Sequence, residues 1–304
     1  MDKSAFLFAG QGSQYVGMGR DLYEAFPESK QVFDEAGAEL GFDLAKICFE
    51  GPIEELKKTS ISQPAIVTVT LAAFEAFKKR KDIKPAFAAG LSLGEYSALI
   101  AMGAVSFKEG IKLIQRRGQI MDAAARKYPG KMAAVIDLPQ DTLMDICRKT
   151  GAGIANLNCP GQTIISGFVA AVDKAMEECR NAGAKRVIEL EVSGGFHSPL
   201  MFEASGELKT LLEDTMISVP HSKIISNFTA RPEVRPVKIR ENLVYQLYSS
   251  VRWEESMRFL LSQGITDFYE FGPGKVLRGL MRKIDPAAKV TSIEKKDDIL
   301  SLTI

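Results

Sequence analysis

One turn constrains this chain more than any other feature. Gly90-Leu91-Ser92-Leu93-Gly94 has the spacing Gly-x-Ser-x-Gly, set between the apolar run Pro85-Ala86-Phe87-Ala88-Ala89 and a helix-like run over 96–102. The first run reads as a short buried strand, the second as a helix. A strand that turns this sharply into a helix leaves no room for side chains at the two flanking positions, hence glycine. The serine is lifted into the open with the next backbone N–H beside it. That is the arrangement of a nucleophile elbow.

Composition sets the frame around that turn. With 304 residues, 46% hydrophobic and 25% charged, the chain suits one large globular domain or a main domain carrying a smaller one. The net charge of +1 gives no global field favouring nucleic acid or a membrane. Cys48, Cys147, Cys159 and Cys179 lie far apart without a C-x-x-C pair, which argues against a zinc site or a disulfide framework and for a reducing compartment. Met1-Asp2-Lys3-Ser4 leads directly into a strand, with no signal or transit segment, so a cytoplasmic protein is expected. No apolar stretch reads as reaching the ~18 residues of a bilayer span.

A buried strand over 5–9 ends in the loop Gly10-Gln11-Gly12-Ser13-Gln14. A dinucleotide fingerprint would need glycine where Tyr15 stands, and no Gly-Lys-Ser/Thr follows for a P-loop. Helical patterning covers 22–40 with a break at Phe26-Pro27. A long helix opens at Ser62-Gln63-Pro64 with Ile66, Val67, Val69, Thr70, Ala73, Phe74 and Phe77 as its apolar stripe. It closes on Lys78-Lys79-Arg80-Lys81, a solvated helix end. Another helix over 106–127 carries Arg116 and Arg117. After Pro129-Gly130 the rhythm changes to strand 132–136, helix 141–150, strands 153–158 and 162–166, helix 169–182 and strand 185–192. That order, βαββαβ, is the ferredoxin-like split unit. Residues 130–193 therefore read as a small inserted subdomain, and 1–129 with 194–304 as the catalytic domain. Strands alternating with helices predict an α/β class with a mostly parallel sheet there.

A serine hydroxyl needs a base to take its proton. The chain has two histidines, and His197, flanked by Gly194-Gly195 and Ser198-Pro199 at a strand end, is the better candidate. His221 follows Pro220 among Ser218, Ser222 and Lys223, where a solvent-facing edge is expected. Spacing does not establish a third group, because triads are defined by geometry. Acyl chemistry also needs two N–H donors for an oxyanion. Leu93 supplies one, and Gln11 the other if its strand lies beside the strand of the elbow.

Together these motifs resemble the malonyl-CoA:acyl carrier protein transacylase family. The matching pieces are Phe8-Ala9-Gly10-Gln11-Gly12-Ser13-Gln14, Ser62-Gln63-Pro64-Ala65, Gly90-Leu91-Ser92-Leu93-Gly94-Glu95-Tyr96 and Arg117-Gly118-Gln119. Further along come Asn158-Cys159-Pro160-Gly161-Gln162, Gly195-Phe196-His197-Ser198, Gln246-Leu247-Tyr248 and Phe271-Gly272-Pro273-Gly274-Lys275. The resemblance implies an α/β-hydrolase-like core with a ferredoxin-like insert. It implies Ser92 as nucleophile, His197 as base and acid, and the backbone N–H groups of Gln11 and Leu93 as the oxyanion hole. By the same resemblance the carbonyl oxygen of Gln246 accepts from the other nitrogen of His197, and Arg117 pairs with the malonyl carboxylate. A guanidinium holds a carboxylate through two parallel N–H bonds that a lysine cannot reproduce. Phe196 resembles malonyl-selecting members, its ring filling the space a branching methyl would need. One departure is Leu91, where the family usually has histidine.

The expected partners are malonyl-CoA and acyl carrier protein, with no nucleic acid, no membrane and no metal or redox cofactor, the chain acting as a monomer. Lys275, Arg278, Arg282 and Lys283 are candidate docking residues for an acidic carrier. Three alternatives stand beside this reading: a polyketide-pathway acyltransferase, a serine thioesterase or esterase with Asp or Glu behind His197, and a non-catalytic acyl-binding subunit.

Overall fold

Runs such as Ala5-Phe6-Leu7-Phe8, apolar on both faces, are stable only inside a sheet covered from both sides. The computed structural model describes residues 3–302, so the outermost bounds predicted for the catalytic domain, 1–2 and 303–304, lie outside the described residues. Ten strands are present among them: β1 (Ser4–Phe8), β2 (Phe87–Gly90), β3 (Gly130–Ile136), β4 (Gly153–Cys159), β5 (Gln162–Phe168), β6 (Arg186–Glu189), β7 (Lys223–Ile225), β8 (Pro232–Glu233), β9 (Asp267–Phe271) and β10 (Lys289–Ile293). They form a six-stranded sheet in the order β10-β9-β1-β2-β7-β8 and a four-stranded sheet in the order β4-β5-β3-β6. All neighbours in the larger sheet run parallel except β8 on β7.

The two faces of the larger sheet are filled by alternate residues of the same strands. Phe6 and Phe8 pack with Phe271 against Phe74 and Phe77 of the Thr59–Arg80 helix. Ala5, Leu7 and Ala89 face Trp253, Met257 and Leu260 of the Trp253–Ser262 helix, together with Leu277 and Met281 of the Val276–Ile284 helix.

The Thr59–Arg80 helix corrects three sequence expectations. It starts three residues before Ser62 and carries Pro64 inside, where proline removes one backbone hydrogen bond. It is also buried nearly all round rather than along a stripe, because helices pack on it from several sides while the sheet covers another. It is also long and apolar enough to span a membrane by length and composition alone, contrary to the expectation that no stretch is, but 83% of its apolar window is buried inside the protein. It is the central core helix.

In the smaller sheet every pairing is antiparallel, and the helices Gln140–Thr150 and Val169–Asn181 lie on one face. Strand β3 shows why it stays attached. Ala133 and Val135 point into a core with those two helices, whereas Met132 and Ala134 join the main core on the other side. The unit is also bonded to the main body: Val251 pairs with Asn156 of β4, donates to Ala155 O and accepts from Leu157 N–H. Strands β8 and β10 and the Lys296–Leu300 helix were not anticipated. β8 has only two residues, and β10, Lys-Val-Thr-Ser-Ile, is too mixed to stand out.

Candidate active site

Strand β2 lies beside β1 with Phe8 opposite Gly90, so the loop after β1 and the elbow after β2 emerge at the same sheet edge. The elbow is as crowded as its glycines predict. A Cβ on Gly90 would lie 1.9 Å from the backbone of Gly94, and one on Gly94 would lie 2.1 Å from Phe8 O. Ser92 adopts φ 50°, a left-handed conformation that only a well-supported turn holds in a residue with a Cβ.

Ser92 occupies the cap position of the Leu93–Ala101 helix, but its side chain does not cap the helix. Its Oγ lies 2.7 Å from His197 Nε2 instead. The other ring nitrogen, Nδ1, is 2.8 Å from the backbone oxygen of Gln246, so Nδ1–H donates to that carbonyl and Nε2 is left as an acceptor for the serine proton. Behind His197, then, stands a backbone carbonyl, not the carboxylate that the esterase alternative requires. Burial pushes the His197 pKa down to about 4, and the Arg117 charge adds to the effect, so the ring is neutral near pH 7. His221 is exposed, its ring against Gly103 beyond the far end of the same helix.

Arg117 projects from the Phe107–Lys127 helix and is only 1% exposed. It donates to Gln63 Oε1 at 2.9 Å and to Gln246 Oε1 at 3.3 Å, with its guanidinium carbon 5.0 Å from the centre of the Tyr96 ring. Its Nε has no partner among the described residues. Gln63 Nε2 in turn reaches Gln11 Oε1 at 3.4 Å, which ties the loop after β1 to the arginine. Leu93 is the first residue of the elbow helix, and its N–H belongs to the helix end that favours negative charge. The buried Phe196 brings its ring edge up to Gly194. Leu91 is half-buried, with its N–H on Phe8 O and its side chain against the apolar layer under the sheet. Lys275, Arg278, Arg282 and Lys283 are all exposed, on or just before the Val276–Ile284 helix.

Four participants carry no role in the sequence reading. Asn227, just after β7, accepts from Ser92 N–H through Oδ1 at 2.6 Å and donates from Nδ2 to Gly90 O at 2.7 Å. Glu95, Gln63 and Tyr96 are buried around Arg117 and Gln246. Gln63, Glu95 and Tyr96 sit inside matching motifs. Asn227 had one available signal, its position at the carboxyl end of a parallel strand, where ligands bind in such sheets.

Residues 5–286 match the acyl transferase domain family. The chain is 45% identical over 304 residues to a malonyl CoA-acyl carrier protein transacylase of Bacillus subtilis, covering 98% of this chain and 96% of the relative. A solved acyl carrier protein S-malonyltransferase from Vibrio cholerae superposes with a TM-score of 0.95 at 38% identity, over 99% of this chain and all of that one. A malonyl-transacylase solved in complex with its type II PKS acyl-carrier protein superposes with a TM-score of 0.96 at 36% identity, over 98% of both chains.

Proposed function

The chain belongs to the acyl transferase family, and on that premise we propose that it moves the malonyl group of malonyl-CoA to the phosphopantetheine thiol of acyl carrier protein, for fatty acid biosynthesis. Ser92 Oγ attacks the thioester carbonyl as His197 Nε2 takes its proton. The N–H groups of Gln11 and Leu93 hold the tetrahedral oxyanion. His197 returns the proton to the departing CoA sulfur, leaving a malonyl-serine ester. The carrier thiol then attacks that ester, giving its proton to His197, which passes it back to Ser92. Every proton is carried by the one imidazole, and the chemistry requires no metal or redox cofactor.

One observation carries the substrate class. The buried Arg117 is held by two neutral amides and an aromatic face, and among the described residues it forms no ion pair. Its charge is therefore directed to an incoming carboxylate, which malonyl has and acetyl lacks. Phe196 selects against a branched acyl group, and the exposed cations around Val276–Ile284 receive the carrier.

Mass spectrometry after mixing with malonyl-CoA tests the reading. A malonyl adduct is expected on the wild type and not on Ser92→Ala. An adduct that survives the substitution overturns the nucleophile. CoA released equally fast with and without acyl carrier protein would make the enzyme a hydrolase instead.

A further inference from the structure

Glu95 is a buried acid that the transfer chemistry leaves unused. It is 2% exposed and lies three residues after Ser92, on the first turn of the elbow helix. Its Oε2 accepts two hydrogen bonds, from Asn227 N–H at 3.0 Å and from Gln246 Nε2 at 2.8 Å. Those two donors hold opposite sides of the reacting pair. Asn227 fixes the backbone of Ser92 on the nucleophile side. Gln246 fixes His197 through its carbonyl oxygen, and its Nε2 also donates to Ser92 O at 3.1 Å. A single carboxylate oxygen is thus the point where the support of the nucleophile meets the support of the base.

We propose that Glu95 is a positioning residue for acyl transfer, its Oε2 setting the distance between Ser92 Oγ and His197 Nε2 by clamping Asn227 to Gln246. The proposal rests on the reading of Ser92 and His197 as nucleophile and base. Both conformations it supports are unusual: Ser92 has φ 50° and His197 φ 53°, so each needs surroundings that over-determine it. Release of the clamp lets Asn227 and the Gln246 side chain seek other partners, and the serine-to-imidazole distance loosens. A misplacement of about 1 Å lowers a rate by about 100-fold. The malonyl carboxylate is bound at Arg117, which Gln63 and the Tyr96 ring still hold when the Gln246 amide is released, so substrate affinity falls far less than the rate.

The test uses the whole protein and single-turnover malonylation by malonyl-CoA, followed by mass spectrometry, beside steady-state transfer to acyl carrier protein. Glu95→Ala should malonylate about 100-fold more slowly, with KM for malonyl-CoA changed by less than about threefold. Glu95→Gln keeps an oxygen able to accept both bonds and should return to within about tenfold of the wild type. A role in folding alone would lower the melting temperature and the folded fraction but leave the rate per folded molecule unchanged. An unchanged rate in Glu95→Ala overturns the clamp, and so does a loss that Glu95→Gln fails to rescue. Should Glu95→Ala not fold, Glu95→Asp decides: it keeps the carboxyl group but is one methylene short, and a wild-type rate there overturns the proposal. Absence of any adduct on the wild type is a separate result, the failure of the nucleophile assignment itself.

Discussion

The turn after β2 and the turn after β9 are built from the same parts and serve opposite ends. Their strands flank β1 on either side, both turns are glycine-bearing, and both feed a helix. Each region also buries a glutamate, Glu95 at 2% exposure and Glu270 at 1%. Glu270 accepts from the N–H groups of Leu277 and Arg278 at 2.7 and 3.2 Å and from Ser292 Oγ at 2.7 Å. It closes the start of its own helix. At the elbow the serine that should cap the helix points to an imidazole instead, and in the proposed mechanism the first N–H of the helix serves the substrate's oxyanion. A turn whose chain satisfies its own helix is scaffold. At the elbow the cap residue is instead bonded to His197.

Three changes break or sharpen that contrast. Gly94→Ala should have the largest effect, because its Cβ would lie 2.1 Å from Phe8 O and backbone must move. A loss of about 3 kcal/mol or more is expected in denaturant unfolding, together with loss of malonylation. An active, stable variant would mean the elbow is looser than drawn.

The next effect is a pH dependence. Burial pushes the Glu95 pKa up to about 7 from an ordinary 4.5, against the opposing hydrogen bonds from Asn227 and Gln246 and the Arg117 charge. The folded protein then binds this proton more tightly than the unfolded chain does. Stability from this group is fully present below pH 4.5 and is lost as pH rises through about 7, a change of about 3 kcal/mol. Glu95→Gln does not titrate. The variant should therefore gain about 3 kcal/mol on the wild type between about pH 4 and pH 8, read from paired unfolding curves. A difference that stays flat with pH would show Glu95 to be ionised throughout.

Glu270→Ala should have the smallest effect, about 2 kcal/mol of stability from the orphaned donors of its helix, with no change in malonylation per folded molecule. A slowed reaction there would erase the distinction between the two turns.

The two glutamates also show which parts of the structure the sequence exposes. The elbow was legible because packing forces its glycines, and His197 because histidines are scarce. The split βαββαβ order was legible because its strands and helices alternate cleanly. Asn227 was not, since a polar residue after a short strand looks like any loop residue until the sheet brings β7 beside β2. Glu95 reads as an ordinary acid on the first turn of a helix, where carboxylates are favoured. Only the fold turns it inward. The depth of the Thr59–Arg80 helix was hidden for a related reason: burial from all sides leaves no polar face to give the period away.

The pairing of Val251 with β4 has a mechanical consequence. The small sheet is bonded at Ala155, Asn156 and Leu157 to a segment that begins only a few residues past Gln246, and Ser250 Oγ adds a further bond to Ile154 O. The main chain that anchors the small sheet is therefore continuous, over a few residues, with the carbonyl that accepts from His197.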